Sequence, residues 1–154
     1  MEQKISEDEQ RALIVAEARS WLWTPQEDGQ CVKGWNGGVD CARFVAAVFS
    51  KLTAEPINVP GSISAQWFMH KSEEHYLNEI EKYCSLVAGP PERWPKPGDI
   101  VIYRIAHAFA HSCIVFDWPQ MINLNPQAHM ITMGNAQSEP YLLGRERRFY
   151  SFWK

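Results

Sequence analysis

Gly38-Val39-Asp40-Cys41-Ala42-Arg43-Phe44-Val45-Ala46-Ala47-Val48-Phe49 is the stretch on which the reading of the whole chain turns. Asp40 carries the side chain of a helix N-cap. Phe44, Val45, Val48, Phe49 and Leu52 recur at helical spacing, so a helix is expected to start at Asp40 and bury one apolar stripe. Cys41 then stands one residue inside that start. Unpaired amides and the helix dipole favour negative charge there, so this is a place where a thiol becomes a thiolate. Gly37 and Gly38 allow backbone to approach a ligand closely.

Upstream, Ser6-Glu7-Asp8-Glu9 fits a capping box, and Ile14, Val15, Ala18, Trp21 and Leu22 follow at helical spacing. An amphipathic helix is expected over 7–23, ended by Pro25, with a glycine-rich loop over 26–39. Downstream, Pro56 and Pro60-Gly61 close the second helical unit. Residues 62–84 read as a more polar helix, with Ile63, Trp67, Tyr76, Leu77 and Ile80 as buried candidates. Pro90, Pro91, Pro95 and Pro97 rule out regular helix or central strand in the next stretch. Short strands are then expected at Ile100–Tyr103, Cys113–Phe116, Met121–Leu124, Met130–Met133 and Phe149–Trp153. Helices first and an antiparallel sheet after them make an α+β pattern.

A nucleophilic cysteine needs a base, and the base an orienting partner. His111 heads the strand Cys113–Phe116. Asn123 follows twelve residues later, across a hairpin turn expected at Asp117-Trp118-Pro119. Adjacent antiparallel strands bring such residues side by side, so Asn123 is the candidate for the second imidazole nitrogen. Asn125 and Gln127 are the alternatives after a register slip. His107 and His111 stand four apart, but the strand context and the missing glutamate of a zinc helix argue against a metal. His70 and His75 read as a solvated helix face.

The chain has 154 residues, about one domain, with 15 Lys plus Arg against 18 Asp plus Glu and a formal charge of −3. That balance argues against a nucleic-acid binder. Hydrophobic residues at 45% and charged residues at 21% are ordinary globular composition. The longest apolar run, Phe44–Phe49, is far too short to insert in a membrane. The polar, acidic start is unlike a secretory signal, so cytoplasmic synthesis without a signal peptide is expected. Cys31, Cys41, Cys84 and Cys113 contain no C-x-x-C pair and are expected as reduced thiols, with Cys31, Cys84 and Cys113 structural.

With these residues in view, a resemblance emerges. Gly38-Val39-Asp40-Cys41-Ala42, Lys96-Pro97-Gly98-Asp99-Ile100-Val101, Ala110-His111-Ser112-Cys113-Ile114-Val115 and Met121-Ile122-Asn123 resemble the NlpC-type cell-wall cysteine peptidases. The opening Val15–Leu22 with Thr24-Pro25, and the ending Arg147-Arg148-Phe149-Tyr150, are similar to the small phage-tail branch. The resemblance implies a papain-like α+β fold with N-terminal helices packed on a C-terminal antiparallel β-sheet. It implies a single domain over 1–154, with a family-variable insertion around 57–94. It further implies Cys41 as nucleophile, His111 as general base and Asn123 as third member of a triad, with no metal and no cofactor.

The implied substrate is an amide bond of peptidoglycan stem peptides, between D-glutamate and a diamino acid. A phage tail or tail-like particle is the implied carrier. Cys41 would attack the carbonyl, its own amide would help hold the oxyanion, and His111 would protonate the leaving amine. Gln26 stands where the family has a tyrosine thought to assist at the site. Trp35 is placed to line the cleft. Asp40, first of all a helix cap, completes the candidate substrate and oxyanion residues. Arg43 replaces the usual glycine, and Ser112-Cys113 the usual small pair. Arg145, Arg147 and Arg148 form a basic cluster, read as surface salt-bridge partners or as a docking patch. Two other readings stand beside this one: a fold-retaining tail protein with weak or no turnover, and a secreted antibacterial amidase.

Overall fold

The computed structural model describes residues 4–60 and 74–153. Ser6 caps α1 (Glu7–Ser20), its hydroxyl accepting from the Glu9 amide as a capping box begins, and the Glu9 carboxylate reaches back to accept from that hydroxyl. The helix stops three residues before the expected end at 23. Trp23 turns into the left-handed region at φ 74°, and its N–H donates to the Ile131 carbonyl at 2.9 Å. Residues from Trp23 onward are recruited as an added strand, with Pro25 bridging Met130 and Gln26 bridging Val39. Sheet hydrogen bonds win over another helical turn there. The loop expected over 26–39 likewise holds a small hairpin, β1 (Cys31–Val32) against β2 (Gly38–Val39).

Helix α2 (Cys41–Phe49) starts as expected, Asp40 accepting from the Arg43 amide at 2.9 Å. A 3-10 turn, Ser50–Leu52, follows it. Ile63, Trp67 and His70 of the expected polar helix lie outside the described residues. Its described part is α3 (His75–Ile80), in which Tyr76, Leu77 and Ile80 are buried as anticipated. The chain leaves the helix there, and β3 (Ser85–Val87) pairs with the C-terminal strand. The helix expected to run to 84 thus ends at Ile80, residues 81–83 turn, and the edge strand, which was not expected, forms through its pairing with the C-terminal strand.

The remaining strands are β4 (Ile100–Ile105), β5 (Ala108–Asp117), β6 (Gln120–Asn125), β7 (Met130–Asn135) and β8 (Arg147–Ser151). They form an antiparallel sheet in the order β3-β8-β4-β5-β6-β7. Side chains alternate across it. Ile100, Ile102, Ile114, Ile122 and Tyr150 pack with Ile14, Ala18, Phe44 and Val48 of the helices. Val101, Tyr103, Cys113, Val115 and Met121 face the other way, under Ala136 and Leu142 of the segment between β7 and β8. Both faces are covered, so the strands read as nearly continuous apolar runs. Each fully buried Ile, Val or Phe contributes about 1.5–3 kcal/mol.

One buried ion cluster ties α1 to the sheet. Arg11 donates to Asp99 Oδ1 and Arg93 to Asp99 Oδ2, each at 2.9 Å. Burial would raise the Asp99 carboxyl, but the Lys96 amide and the two guanidinium groups outweigh it and hold it below its ordinary value.

Candidate active site

Cys41 is the first residue of α2, and the helix lays its N-terminus against β5. The sulfur is 3.1 Å from Ser112 Oγ and receives the Ser112 amide hydrogen at 3.3 Å. Ser112 Oγ in turn lies 2.6 Å from the Tyr76 hydroxyl, which α3 delivers. The carbonyls of Ala110 and Ser112 sit 3.8 Å from the sulfur. Burial pushes the Cys41 thiol above its ordinary value, against hydrogen bonds from Ser112 that pull it down. The helix start is therefore where the sequence places it, but desolvation opposes the thiolate that position favours.

His111 is not part of this cluster. Since Ser112 points at Cys41, the pleat directs its neighbours His111 and Cys113 to the opposite face of β5. The contacts agree. The imidazole lies against Tyr103 and Tyr141, with ring centroids 6.5 and 5.8 Å away, on the face that buries Tyr103 and Cys113. The phase is continuous along β5: Tyr103 pairs with His111, Ile102 with Ser112 and Ile100 with Ile114, so with Ser112 and Ile114 toward the helices His111 faces away, and the β-bulge at Ala110 comes only beyond it, before Phe109 pairs with Arg104. Burial, with Arg145 adding to it, lowers the His111 pKa to about 4. Its Nε2 has no hydrogen-bond partner among the described residues.

Asn123 shares the His111 face, but it pairs across the sheet with Cys113. Its side-chain oxygen is taken by the Tyr141 hydroxyl at 3.0 Å. The expected side-by-side placement of His111 and Asn123 is thus replaced by a diagonal one, and Asn123 does not hold the imidazole. Asn125 is spent on a turn, accepting from the Gln127 and Ala128 amides. Gln127 is exposed.

The residues assigned to the substrate side are dispersed. Exposed Gln26 faces His129, Oε1 to Nδ1 at 3.3 Å. Trp35 is 80% exposed in the β1–β2 loop, free to meet a ligand and contributing nothing to the core. Asp40 is consumed structurally: besides capping α2, it accepts from the Gly29 amide at 2.8 Å and from the Arg43 guanidinium at 2.6 Å. A groove of about 580 Å³ runs along the outer side of α2 past Cys31, Arg43 and Lys51. Tyr76 was expected only as a buried position of the polar helix, and sequence reasoning missed its place beside Cys41. The hydroxyl of Ser112, at a position otherwise filled by an apolar residue, was the available signal.

No family model and no curated protein matches the chain. Solved structures do. The NlpC/p60 domain of the peptidoglycan hydrolase SagA superposes with TM-score 0.56 at 20% identity, covering 90% of this chain and 96% of that one. The fold is that of an NlpC/p60 domain. The Mycobacterium tuberculosis peptidoglycan hydrolase RipB gives TM-score 0.61 at 17% identity, over 97% of this chain and 69% of that chain. The P60 domain of a Mycobacterium avium subspecies paratuberculosis antigen gives 0.61 at 13%, over 96% and 97% of the two chains. At these identities the likeness establishes the NlpC/p60 architecture and leaves the chemistry to this chain's own residues. Among the described residues no group of three or more metal-ligating side chains converges, and no helix is long and apolar enough to cross a membrane.

Proposed function

We propose that the chain is a cysteine peptidase of peptidoglycan stem peptides with Cys41 as nucleophile. The observation that carries this reading is the placement of Cys41. It is a cysteine on the first residue of α2, with the Ser112 amide and hydroxyl on its sulfur, in a fold shared with peptidoglycan hydrolases. The finer assignment is cleavage between D-glutamate and a diamino acid by a protein carried on a phage tail or tail-like particle; it rests on the sequence resemblance. The thiolate attacks the stem-peptide carbonyl while the Cys41 amide faces the developing oxyanion; the C–N bond then breaks as the leaving amine takes a proton from water, and a second water hydrolyses the thioester to the free acid and the thiol. In the arrangement described, His111 does not touch the sulfur. For His111 to act as general base it has to reach the Cys41 face, and the alternation of β5, which turns Ser112 toward the sulfur, is what keeps it away.

That placement favours a second reading, a tail component that retains the fold with weak or no turnover. Incubation of purified protein with peptidoglycan sacculi, with Cys41→Ala beside it and mass spectrometry of released fragments, separates the two. Fragments from the wild type alone support the peptidase. Their absence, from folded protein on sacculi of several chemotypes, supports the structural role.

A further inference from the structure

Ser112 and Tyr76 lie outside the Cys-His-Asn assignment, yet they are the polar side chains in contact with the Cys41 cluster. Both are buried, and they come from separate elements, α3 and β5. Buried hydroxyls keep hydrogen-bond partners. Here the partners are one another and the sulfur. We propose that Ser112 and Tyr76 are positioning residues that stabilise the Cys41 thiolate, Ser112 by its amide and hydroxyl and Tyr76 by the hydroxyl beside them.

When the thiol loses its proton to solvent, the sulfur becomes a pure acceptor. The Ser112 amide already points at it at 3.3 Å. The Ser112 hydroxyl, 3.1 Å away, then donates to it, and the Tyr76 hydroxyl donates to Ser112 Oγ across 2.6 Å. All donors in this chain then point toward the charge, and hydrogen bonds to an ionised acceptor are the strong ones. The surrounding titratable and charged groups among the described residues include Asp40 and Arg43 on α2, Cys31 on β1, His75 and Tyr76 with the adjacent Glu74 at α3, and Cys113 on β5. Arg43 pairs with Asp40, and Glu74 accepts from the Phe109 amide at 3.0 Å. The Asp40 carboxylate still opposes negative charge on the sulfur, and the Ser112 amide with the two hydroxyls works against it.

The inference rests on reading Cys41 as the reactive thiol, but it is tested without turnover. The rate of iodoacetamide alkylation at Cys41 is followed against pH by peptide mapping, so that the exposed Cys31 is counted separately. Ser112→Ala should raise the midpoint by about one unit, slowing alkylation about tenfold at neutral pH. Tyr76→Phe should raise it less, and the double variant should raise it at least as much as Ser112→Ala alone. Ser112→Thr, which keeps the hydroxyl, should keep the wild-type midpoint. Far-UV circular dichroism verifies folding, and Tyr76→Phe, which keeps the buried ring, carries the test if Ser112→Ala does not fold. A midpoint unmoved in folded Ser112→Ala, or in Tyr76→Phe when that variant stands alone, overturns the proposal. Sacculi left intact by a wild type whose midpoint still depends on Ser112 would overturn the peptidase reading and leave this one standing.

Discussion

Replacing His111 by leucine should remove most of the acid sensitivity that this one side chain confers on folding. In the native protein its pKa is lowered to about 4 by burial, with Arg145 adding to it. In the unfolded chain it returns to about 6.5. Between those values the unfolded state binds more protons, so stability is fully present above the unfolded pKa and is lost as pH falls toward the folded one. A difference of that size corresponds to at most about 3 kcal/mol, and the partial exposure of the residue brings the expectation to about 2 kcal/mol.

Urea denaturation at pH 7 and pH 4.5 of wild type and His111→Leu reads this directly. With m near 2 kcal/mol/M, the wild-type midpoint should fall by about 1 M more than that of the variant. At pH 7 the two should be close, because leucine also removes the unpartnered Nε2 from its buried site. Other carboxylates titrate in both proteins and cancel in the comparison. Parallel midpoint shifts would refute the reasoning: His111 would then be titrating as a solvated imidazole and could not occupy the closed face against Tyr103 and Tyr141.

Asp99→Ala leaves Arg11 and Arg93 without their shared carboxylate and should cost about 3–5 kcal/mol in chemical denaturation. Asp40→Asn should keep stability within about 0.5 kcal/mol, whereas Asp40→Ala should cost about 1–2 kcal/mol through loss of the α2 cap. A stable Asp40→Ala protein with abolished sacculus digestion would instead restore Asp40 to the substrate side. Trp35→Ala should leave the melting temperature within about 2 °C of wild type, since a well-exposed side chain rarely contributes more than a few tenths of a kcal/mol. Sedimentation with sacculi should detect weaker binding if Trp35 lines the cleft.

How far the sequence carried depended on whether local or long-range physics decided an element. The Ser6 box and the Asp40 cap are local chemistry, and both helices start where those residues say. The apolar runs from Ile100 and Cys113, and the turn at Asp117–Pro119, likewise have local signatures, so the hairpin β5–β6 was readable with its turn. Trp23–Gln26 and Ser85–Val87 became sheet edges because distant strands offered them hydrogen bonds, which no window of sequence records. The candidate site divides the same way. Cys41 was legible from its cap. The contact of Tyr76 with Ser112 is 36 positions long-range, and His111 faces away from Cys41 because β5 turns Ser112, its neighbour in the same unbroken register, toward the sulfur. Which of two alternating neighbours faces a helix is settled by the strand's packing and not by the residues alone.

The most direct test of the central claim, that Cys41 is the nucleophile of a peptidoglycan peptidase, is digestion of purified sacculi by wild type and Cys41→Ala, read by mass spectrometry. The account predicts stem-peptide fragments with new amino termini from the wild type and none from the variant. Equal fragment release by folded Cys41→Ala, or none by either protein, would contradict it.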